Sequence, residues 1–127
     1  MGKSFQDLKI WQKGYELLMR VYEVTSKYPS EEKFGLVSDT RRSANSVIAN
    51  IAESHGRYFF ADKIRVLYIA RGETEETRSH LRVALGRKYL SKDEFEFLDK
   101  EYEGLGVGIN FYIQDLKKQH SSTQSRN

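Results

Sequence analysis

The chain has 127 residues, contains no cysteine and carries a formal net charge of +3. This length suits one domain, which buries a substantial core without disulfide bonds or a structural metal. The lack of cysteine excludes disulfides, a thiolate nucleophile and zinc–thiolate sites. No run of about 18 apolar residues occurs, and the start lacks the apolar region of a signal peptide. We therefore expect a cytoplasmic protein with no membrane partner.

The charge is distributed unevenly along the chain. Residues 58–90 sum to +3, from seven basic and four acidic residues, whereas residues 91–118 sum to −3, from four basic and seven acidic residues. This distribution is compatible with solvated helix faces, with a polyanion-binding surface, and with charge-complementary packing between subunits.

Two amphipathic helices are predicted on either side of the only proline, Pro29. The apolar residues of the first helix alternate at intervals of three and four, which is typical of one helix face: Leu8, Trp11, Tyr15, Leu18 and Tyr22. Leu17, Val21 and Val24 widen that face, as a globular core needs. Residues 28–35 are rich in turn formers and predict a connection. The second helix is predicted from about Leu36 to about Gly56, with a core face of Val37, Thr40, Ala44, Val47, Ile48 and Ile51.

Two further helices follow. The third is predicted from about Phe60 to Tyr89, with Ile64, Leu67, Thr74, Leu81 and Leu85 on or near one face. The fourth opens with Ser91 and Glu94, a Ser-x-x-Glu capping box. Its apolar face is regular: Phe95, Leu98, Tyr102, Leu105, Ile109, Tyr112 and Leu116.

Three glycines interrupt the fourth predicted helix, at Gly104, Gly106 and Gly108. Each weakens a helix by about 1 kcal/mol relative to alanine. They indicate a close helix crossing or a subunit contact, or else a locally weak helix.

Four amphipathic helices with short connections predict an all-α, up-down-up-down antiparallel four-helix bundle, in a single domain of residues 1–118. Residues 119–127 are polar and lack periodicity, which predicts a disordered tail. The apolar residues outnumber what one inner stripe needs, so some should face outward and favour self-association. We expect Trp11, Phe59 and Phe60 to contact other subunits.

Four segments carry a resemblance to a known family: "DLKIWQKGYEL" at 7–17, "YPSEEKFGL" at 28–36, "RRSANSVIANIAESHGR" at 41–57 and "LYIARGETEE" at 67–76. In their order and spacing they resemble the bacterial four-helix-bundle family encoded by intervening sequences of 23S rRNA genes. That family is similar to the accessory protein of diversity-generating retroelements. The resemblance runs from about residue 5 to residue 118.

The chain also departs from that family pattern. Ile48 stands where proline is usual, Ser54 where glycine is usual, and Asp39 where glutamine is usual. Thr74 and Thr77 occupy two positions of core leucines. The resemblance implies a cyclic homo-oligomer, typically a pentamer. It also implies RNA or DNA, and a protein such as a reverse transcriptase, as partners, but it implies no reaction.

A polar stripe runs along the second predicted helix, because Ser46, Asn50, Glu53 and Arg57 recur at spacings of four, three and four. Arg71 and Glu76 interrupt the third helix similarly. The first interpretation is a structural polar network that contains Asn50, Glu53, Arg71 and Glu76. In it, Glu53 pairs with Arg71 and Asn50 bonds to the backbone, because a buried charge requires a partner. The alternatives are a solvated face and a ligand site.

The second and third helices also carry basic residues suited to phosphate, because a planar guanidinium donates two hydrogen bonds at once. The predicted nucleic-acid-binding residues are Arg41, Arg42, Arg57, Arg78, Arg82, Arg87 and Lys88. Tyrosines near them are suited to base stacking: Tyr58, Tyr68 and Tyr89. Interspersed carboxylates oppose phosphate binding: Glu73, Glu75 and Glu76.

No motif for catalysis or metal binding is complete. The chain has no phosphate loop, Rossmann glycine pattern or Gly-x-Ser-x-Gly motif. Glu76 precedes His80 by four residues rather than three, so the di-iron bundle pattern is not met. We predict no enzyme, no cofactor and no metal. The leading hypothesis is a homo-oligomeric, nucleic-acid-associated accessory protein. The alternative is a structural assembly or protein-interaction module without a nucleic-acid ligand.

Overall fold

A computed structural model describes residues 4–125, including the side chains of residues 4–122. Four α-helices follow in order: α1 (Lys9–Thr25), α2 (Leu36–Gly56), α3 (Phe60–Gly86) and α4 (Lys92–Ser125). Short 3₁₀ helices at Phe5–Asp7 and Ser30–Glu32 precede α1 and α2. Each helix packs against the next, and α4 closes on α1. The described chain is therefore an all-α four-helix bundle, as the sequence predicts, and none of these helices is long and apolar enough to cross a membrane.

The helix α1 buries the aliphatic part of its predicted apolar face, including Leu18, and leaves two predicted tyrosines outside the core. Leu17, Val21 and Val24 are buried, whereas Tyr15 and Tyr22 are each 45% exposed. Aliphatic side chains have no polar group to satisfy, whereas burial of a tyrosine hydroxyl without a hydrogen-bond partner costs free energy. The core face is therefore the aliphatic one, and the two tyrosines lie at its outer edge.

The helix α3 ends at Gly86, three residues before the predicted end at Tyr89. Lys88 has a φ of 66°, and its N–H donates to the Leu85 carbonyl at 3.0 Å. The N–H of Tyr89 donates to the Ala84 carbonyl at 2.8 Å. This pair of bonds is a Schellman termination, in which a left-handed residue satisfies the last carbonyls of a helix.

The helix α4 begins with the predicted capping box at Ser91 and continues to Ser125. It therefore extends into residues 119–127, where the sequence predicts disorder, and the last two of these lie outside the described residues. The ring centroid of His120 lies 5.3 Å from that of Phe60 at the start of α3. This contact gives the end of α4 a packing partner that its own sequence does not indicate.

Two of the three glycines in α4 lie at close helix crossings. A Cβ at Gly108 would lie 3.3 Å from Ile10 Cγ2 of α1, and one at Gly106 would lie 3.2 Å from Thr74 Oγ1 of α3. A Cβ at Gly104 would meet no atom within 4 Å. Close packing therefore explains Gly106 and Gly108 but not Gly104.

Buried hydroxyls form a polar seam between α2 and α3. Thr77 donates to the Glu73 carbonyl at 2.9 Å, and its Oγ1 lies 2.7 Å from Ser43 Oγ. Thr74 donates to the Arg71 carbonyl at 2.6 Å. Both threonine hydroxyls are therefore satisfied inside the core.

Candidate nucleic-acid interface

An open depression of about 410 Å³ lies between the C-terminal half of α1 and the N-terminal half of α2. Three of its lining residues are cations, two are aromatic and none is acidic. We call it the Phe34 pocket, and its residues are Tyr22, Lys33, Phe34, Val37, Ser38, Arg41, Arg42 and Asn45. Its composition is that expected of a surface that binds phosphates and bases.

Phe34 is the most exposed large apolar side chain among the described residues, at 88% exposure. It lies in the connection before α2, and Lys33 Nζ is 5.4 Å from its ring centroid. Because the ring is not buried in the core, its face is available for stacking. The sequence prediction missed both residues, although an aromatic residue within a turn segment was a detectable signal.

Arg41 is held against α1 without a carboxylate partner among the described residues. Its Nε donates to Thr25 Oγ1 at 2.9 Å, and its guanidinium carbon lies 4.5 Å from the centroid of the Tyr22 ring. The hydroxyl and the ring orient the guanidinium without neutralising its charge. The structure thus places this predicted residue where a phosphate can approach.

Arg42 also lines the Phe34 pocket but is already paired. It donates a hydrogen bond to Glu76 and lies 4.0 Å from a Glu73 oxygen. The pKa of the Glu76 carboxyl is below its usual value, mainly because Arg42 donates this hydrogen bond to it. A phosphate at Arg42 must therefore compete with these two carboxylates.

Two other predicted phosphate contacts form ion pairs within the chain. Arg57 donates to Glu53 at 2.6 Å, one turn earlier in α2. Arg78 donates to both carboxylate oxygens of Asp99 on α4, at 2.8 and 3.2 Å, and to Glu75 at 3.0 Å. The basic α3 and the acidic α4 therefore complement each other inside one chain, and these two arginines offer less charge to a ligand.

The last three predicted cations lie at or near the end of α3. The guanidinium of Arg82 lies over the Phe95 ring, with its central carbon 5.3 Å from the centroid. Arg87 donates to Tyr89 Oη at 3.4 Å, and Lys88 is the left-handed residue that ends α3. The connection that contains Arg87 and Lys88 lies at the same end of the bundle as the Phe34 pocket, because α2 begins where α3 ends.

Part of the predicted polar network is present. Asn50 Nδ2 donates to the Ser46 carbonyl at 2.8 Å, which confirms the predicted bond to the backbone. Ser46 Oγ in turn donates to Glu73 Oε2 at 2.9 Å, and Glu76 accepts from Arg42. These bonds join α2 to α3. Within the described side chains, no three His, Asp or Glu residues are arranged to hold a metal ion.

The predicted pair between Glu53 and Arg71 is wrong. Glu53 accepts from Arg57, the residue directly after α2, and Arg71 donates to Asn110 Oδ1 of α4 at 2.7 Å. Arg71 lies on the side of α3 that faces α4, away from α2. Both side chains of the predicted pair are exposed, so neither charge requires the other.

The predicted subunit contacts differ in their exposure. Phe59 is 65% exposed, in the connection between α2 and α3. Trp11 and Phe60 are half-buried and pack against the core, and the Trp11 ring stacks on Tyr15 at a centroid distance of 5.3 Å. Only Phe59 is thus largely available to another molecule.

Comparisons with known proteins agree with this architecture. The sequence model of a family described as 23S rRNA-intervening sequence protein matches residues 6–110. The fold is similar to the crystal structure of a protein with unknown function from the S23 ribosomal protein family of Bacteroides thetaiotaomicron VPI-5482, with a TM-score of 0.76 and 25% identity. That match covers 82% of this chain and 97% of the other. No protein with a curated description matches the chain.

Proposed function

Because the chain belongs to the 23S rRNA-intervening sequence protein family, we propose that it is a non-enzymatic, nucleic-acid-associated protein that binds RNA or DNA at the Phe34 pocket. The observation that supports this proposal is the lining of the pocket, which combines three cations with two aromatic side chains and no carboxylate. Cations attract phosphates, and aromatic rings stack on bases without requiring a particular sequence.

The proposed contacts revise the set predicted from the sequence. Arg41 stays as the principal phosphate contact, and Lys33 joins it, because neither forms an ion pair among the described residues. Phe34 joins them as the stacking surface. Arg57 and Arg78 leave the set because each already pairs with a carboxylate.

The test is an anisotropy titration of labelled structured RNA and of duplex DNA, each at low and at physiological salt. The double substitution Lys33→Gln/Arg41→Gln should weaken binding about tenfold and reduce its salt dependence, because two phosphate contacts are lost. Phe34→Ala removes a stacking partner, which contributes about 1–3 kcal/mol per base.

The matched control is Lys92→Gln/Lys100→Gln, which removes the same charge from exposed positions of α4. Its affinity should stay close to that of the wild type. If the control loses as much affinity as Lys33→Gln/Arg41→Gln, binding depends on net charge and the pocket assignment fails. If the wild type does not bind at low salt, nucleic acid is not a direct ligand.

Homo-oligomer formation is a second proposed property, supported by an outward apolar face of α1. Trp11, Tyr15, Met19 and Tyr22 recur at intervals of four, four and three, and the last three are exposed. Such a contiguous apolar stripe favours association between protein surfaces. A ring of subunits, such as the pentamer that the resemblance implies, would bury the part of this stripe formed by Trp11, Tyr15 and Met19. It would leave Tyr22 in the Phe34 pocket and would bring several such pockets into one particle.

Light scattering after gel filtration tests this property. Met19→Glu should lower the particle mass towards that of the 14.8 kDa chain, because it places a charge within the stripe. Val83→Glu, at an exposed position of α3, is the control and should keep the mass of the wild type. An oligomer that binds no RNA would favour the alternative function, an assembly module. A wild-type mass of one chain would refute homo-oligomer formation.

A further inference from the structure

A second group of cations lies between α3 and α4, around an exposed tyrosine. Lys117 Nζ donates to Tyr68 Oη at 2.9 Å. The guanidinium carbon of Arg71 lies 4.8 Å from the centroid of the same ring, and Arg71 also donates to Asn110 Oδ1 at 2.7 Å. We call Tyr68, Arg71, Asn110 and Lys117 the Tyr68 cluster.

The hydrogen bonds inside this cluster use its acceptors and leave its donors. Lys117 occupies the hydroxyl oxygen of Tyr68, and Arg71 occupies the amide oxygen of Asn110. The groups that remain are the tyrosine O–H, the Asn110 amide N–H pair, and further N–H groups of the guanidinium and the ammonium. These donors outnumber the acceptor sites left on the two oxygens, and two of the donor groups carry positive charge. The complementary ligand is therefore an anion with several acceptor oxygens.

No carboxylate of the described residues neutralises the cluster. Neither Arg71 nor Lys117 forms an ion pair there, whereas Arg78, two turns further along α3, pairs with Asp99. The hydrogen bond from Lys117 lowers the pKa of the Tyr68 phenol below its ordinary value, as expected where positive charge is not balanced.

An apolar surface adjoins the cluster. A groove of about 400 Å³ between α3 and α4 is lined by Arg71 and Asn110 together with the exposed Phe111, which is 69% exposed. Two carboxylates also line this groove, Glu75 and Glu103, and both lie within ion-pair distance of Arg78. Phe111 thus offers a stacking surface beside Arg71, and such rings bind the bases of single strands.

We propose that the Tyr68 cluster is a second phosphate-binding site, which takes a phosphate group of a nucleic-acid backbone. The choice of nucleic acid as the phosphate source rests on the proposed function, whereas the phosphate chemistry rests on the cluster alone. The helices run in ring order, so the α3–α4 side lies opposite the α1–α2 side that carries the Phe34 pocket. One protomer therefore contacts two separate backbone segments.

The first experiment measures anisotropy of a labelled single-stranded RNA with Arg71→Gln/Lys117→Gln. Affinity should fall about tenfold, and the slope of log affinity against log salt should become shallower by about 1.4, because two phosphate contacts are lost. Lys92→Gln/Lys100→Gln again serves as the control and should retain the affinity of the wild type. Wild-type affinity in Arg71→Gln/Lys117→Gln would overturn the second site.

The two proposals fail in different variants. If Arg71→Gln/Lys117→Gln binds normally and Lys33→Gln/Arg41→Gln does not, the second site is wrong and the Phe34 pocket stands. The reverse result refutes the Phe34 pocket and supports the Tyr68 cluster.

A direct measurement uses protein with ¹³C-labelled tyrosine, in which Tyr68→Phe identifies the resonance of Tyr68. Saturable movement of this resonance with the RNA supports the proposal. Movement with tripolyphosphate but not with RNA overturns the nucleic-acid assignment and indicates a free polyphosphate as the ligand. A resonance that neither compound moves overturns the site.

Discussion

Replacing Gly14 by alanine should destabilise the bundle, although alanine favours helices. Gly14 is buried in α1, and a Cβ there would lie 2.4 Å from Ile48 Cγ2 and 3.5 Å from Leu105 Cδ2. Carbon atoms in favourable contact are about 3.5–4.0 Å apart, so Ile48 must move by about 1 Å or more. Ile48 is buried in α2, and its β-branched side chain has essentially one χ1 rotamer in a helix.

The expected magnitude is the difference between two effects. Overpacking of a core costs about 1–3 kcal/mol, and the upper half of this range applies because the buried, β-branched Ile48 cannot change its χ1 rotamer. Against this cost, alanine stabilises a helix by about 1 kcal/mol relative to glycine. Gly14→Ala should therefore lower the free energy of unfolding by about 1–2 kcal/mol. At about 4 °C per kcal/mol for a domain of this size, the melting temperature should fall by about 4–8 °C.

The matched control is Gly72→Ala in α3, where a Cβ would meet no atom within 4 Å. Only helix propensity changes there, so stability should rise by about 0.5–1 kcal/mol. Urea denaturation, followed by the circular dichroism signal of the helices, measures the free energy of unfolding of both variants. The comparison is valid if this free energy depends on urea concentration with the same slope in each protein. The reasoning is refuted if Gly14→Ala is as stable as the wild type, or if Gly72→Ala is the less stable variant.

Three further substitutions test individual features. Lys88→Gly should raise the melting temperature, since a non-glycine residue at a φ of 66° costs about 1 kcal/mol; an unchanged or lower value would contradict this. Arg78→Gln should cost about 1–2 kcal/mol in urea denaturation, through loss of its bonds to Asp99; a variant as stable as the wild type would contradict this. Tyr102→Phe should equal the wild type at pH 7 or exceed it by up to about 1 kcal/mol, because the buried hydroxyl has no partner among the described residues. Burial raises the pKa of Tyr102 above its ordinary value near 10. Above about pH 10 this tyrosine ionises in the unfolded chain before it does in the folded one, so the free energy of unfolding falls as pH rises. Urea denaturation at pH 7 and pH 11 should therefore show a smaller decrease of that free energy in Tyr102→Phe than in the wild type; equal decreases would refute this reasoning.

The helix predictions were accurate where regular apolar spacing along the chain was enough to define the helix. The bounds of α2 match the prediction from Leu36 to Gly56, because its apolar spacing is regular and a connection precedes it. The apolar face of α4 is buried as predicted, apart from the half-buried Tyr112. In α1 the aliphatic part of the predicted face is buried, but Tyr15 and Tyr22 are each 45% exposed. Apolar spacing treats these tyrosines like leucine, although their hydroxyls favour the solvent edge.

The candidate site was less predictable. Arg41 was identified from the sequence, but Lys33 and Phe34 were missed because they lie in a connection outside the helical pattern. Arg78 was chosen as a phosphate contact, yet Asp99 from α4 occupies its guanidinium. Whether a cation is available depends on carboxylates that approach from other helices, and the order of residues along one chain does not show which ones do.

The sequence by itself determined that four helices form, where the α4 helix is capped and which aliphatic residues enter the core. These properties follow from spacing and from contacts between near neighbours along the chain. Only the tertiary structure decided which arginines are neutralised, and which side chains gather at the Phe34 pocket and the Tyr68 cluster. Ion pairs and ligand sites require atoms within a few ångströms, and residues distant in the chain reach such distances only when the helices pack.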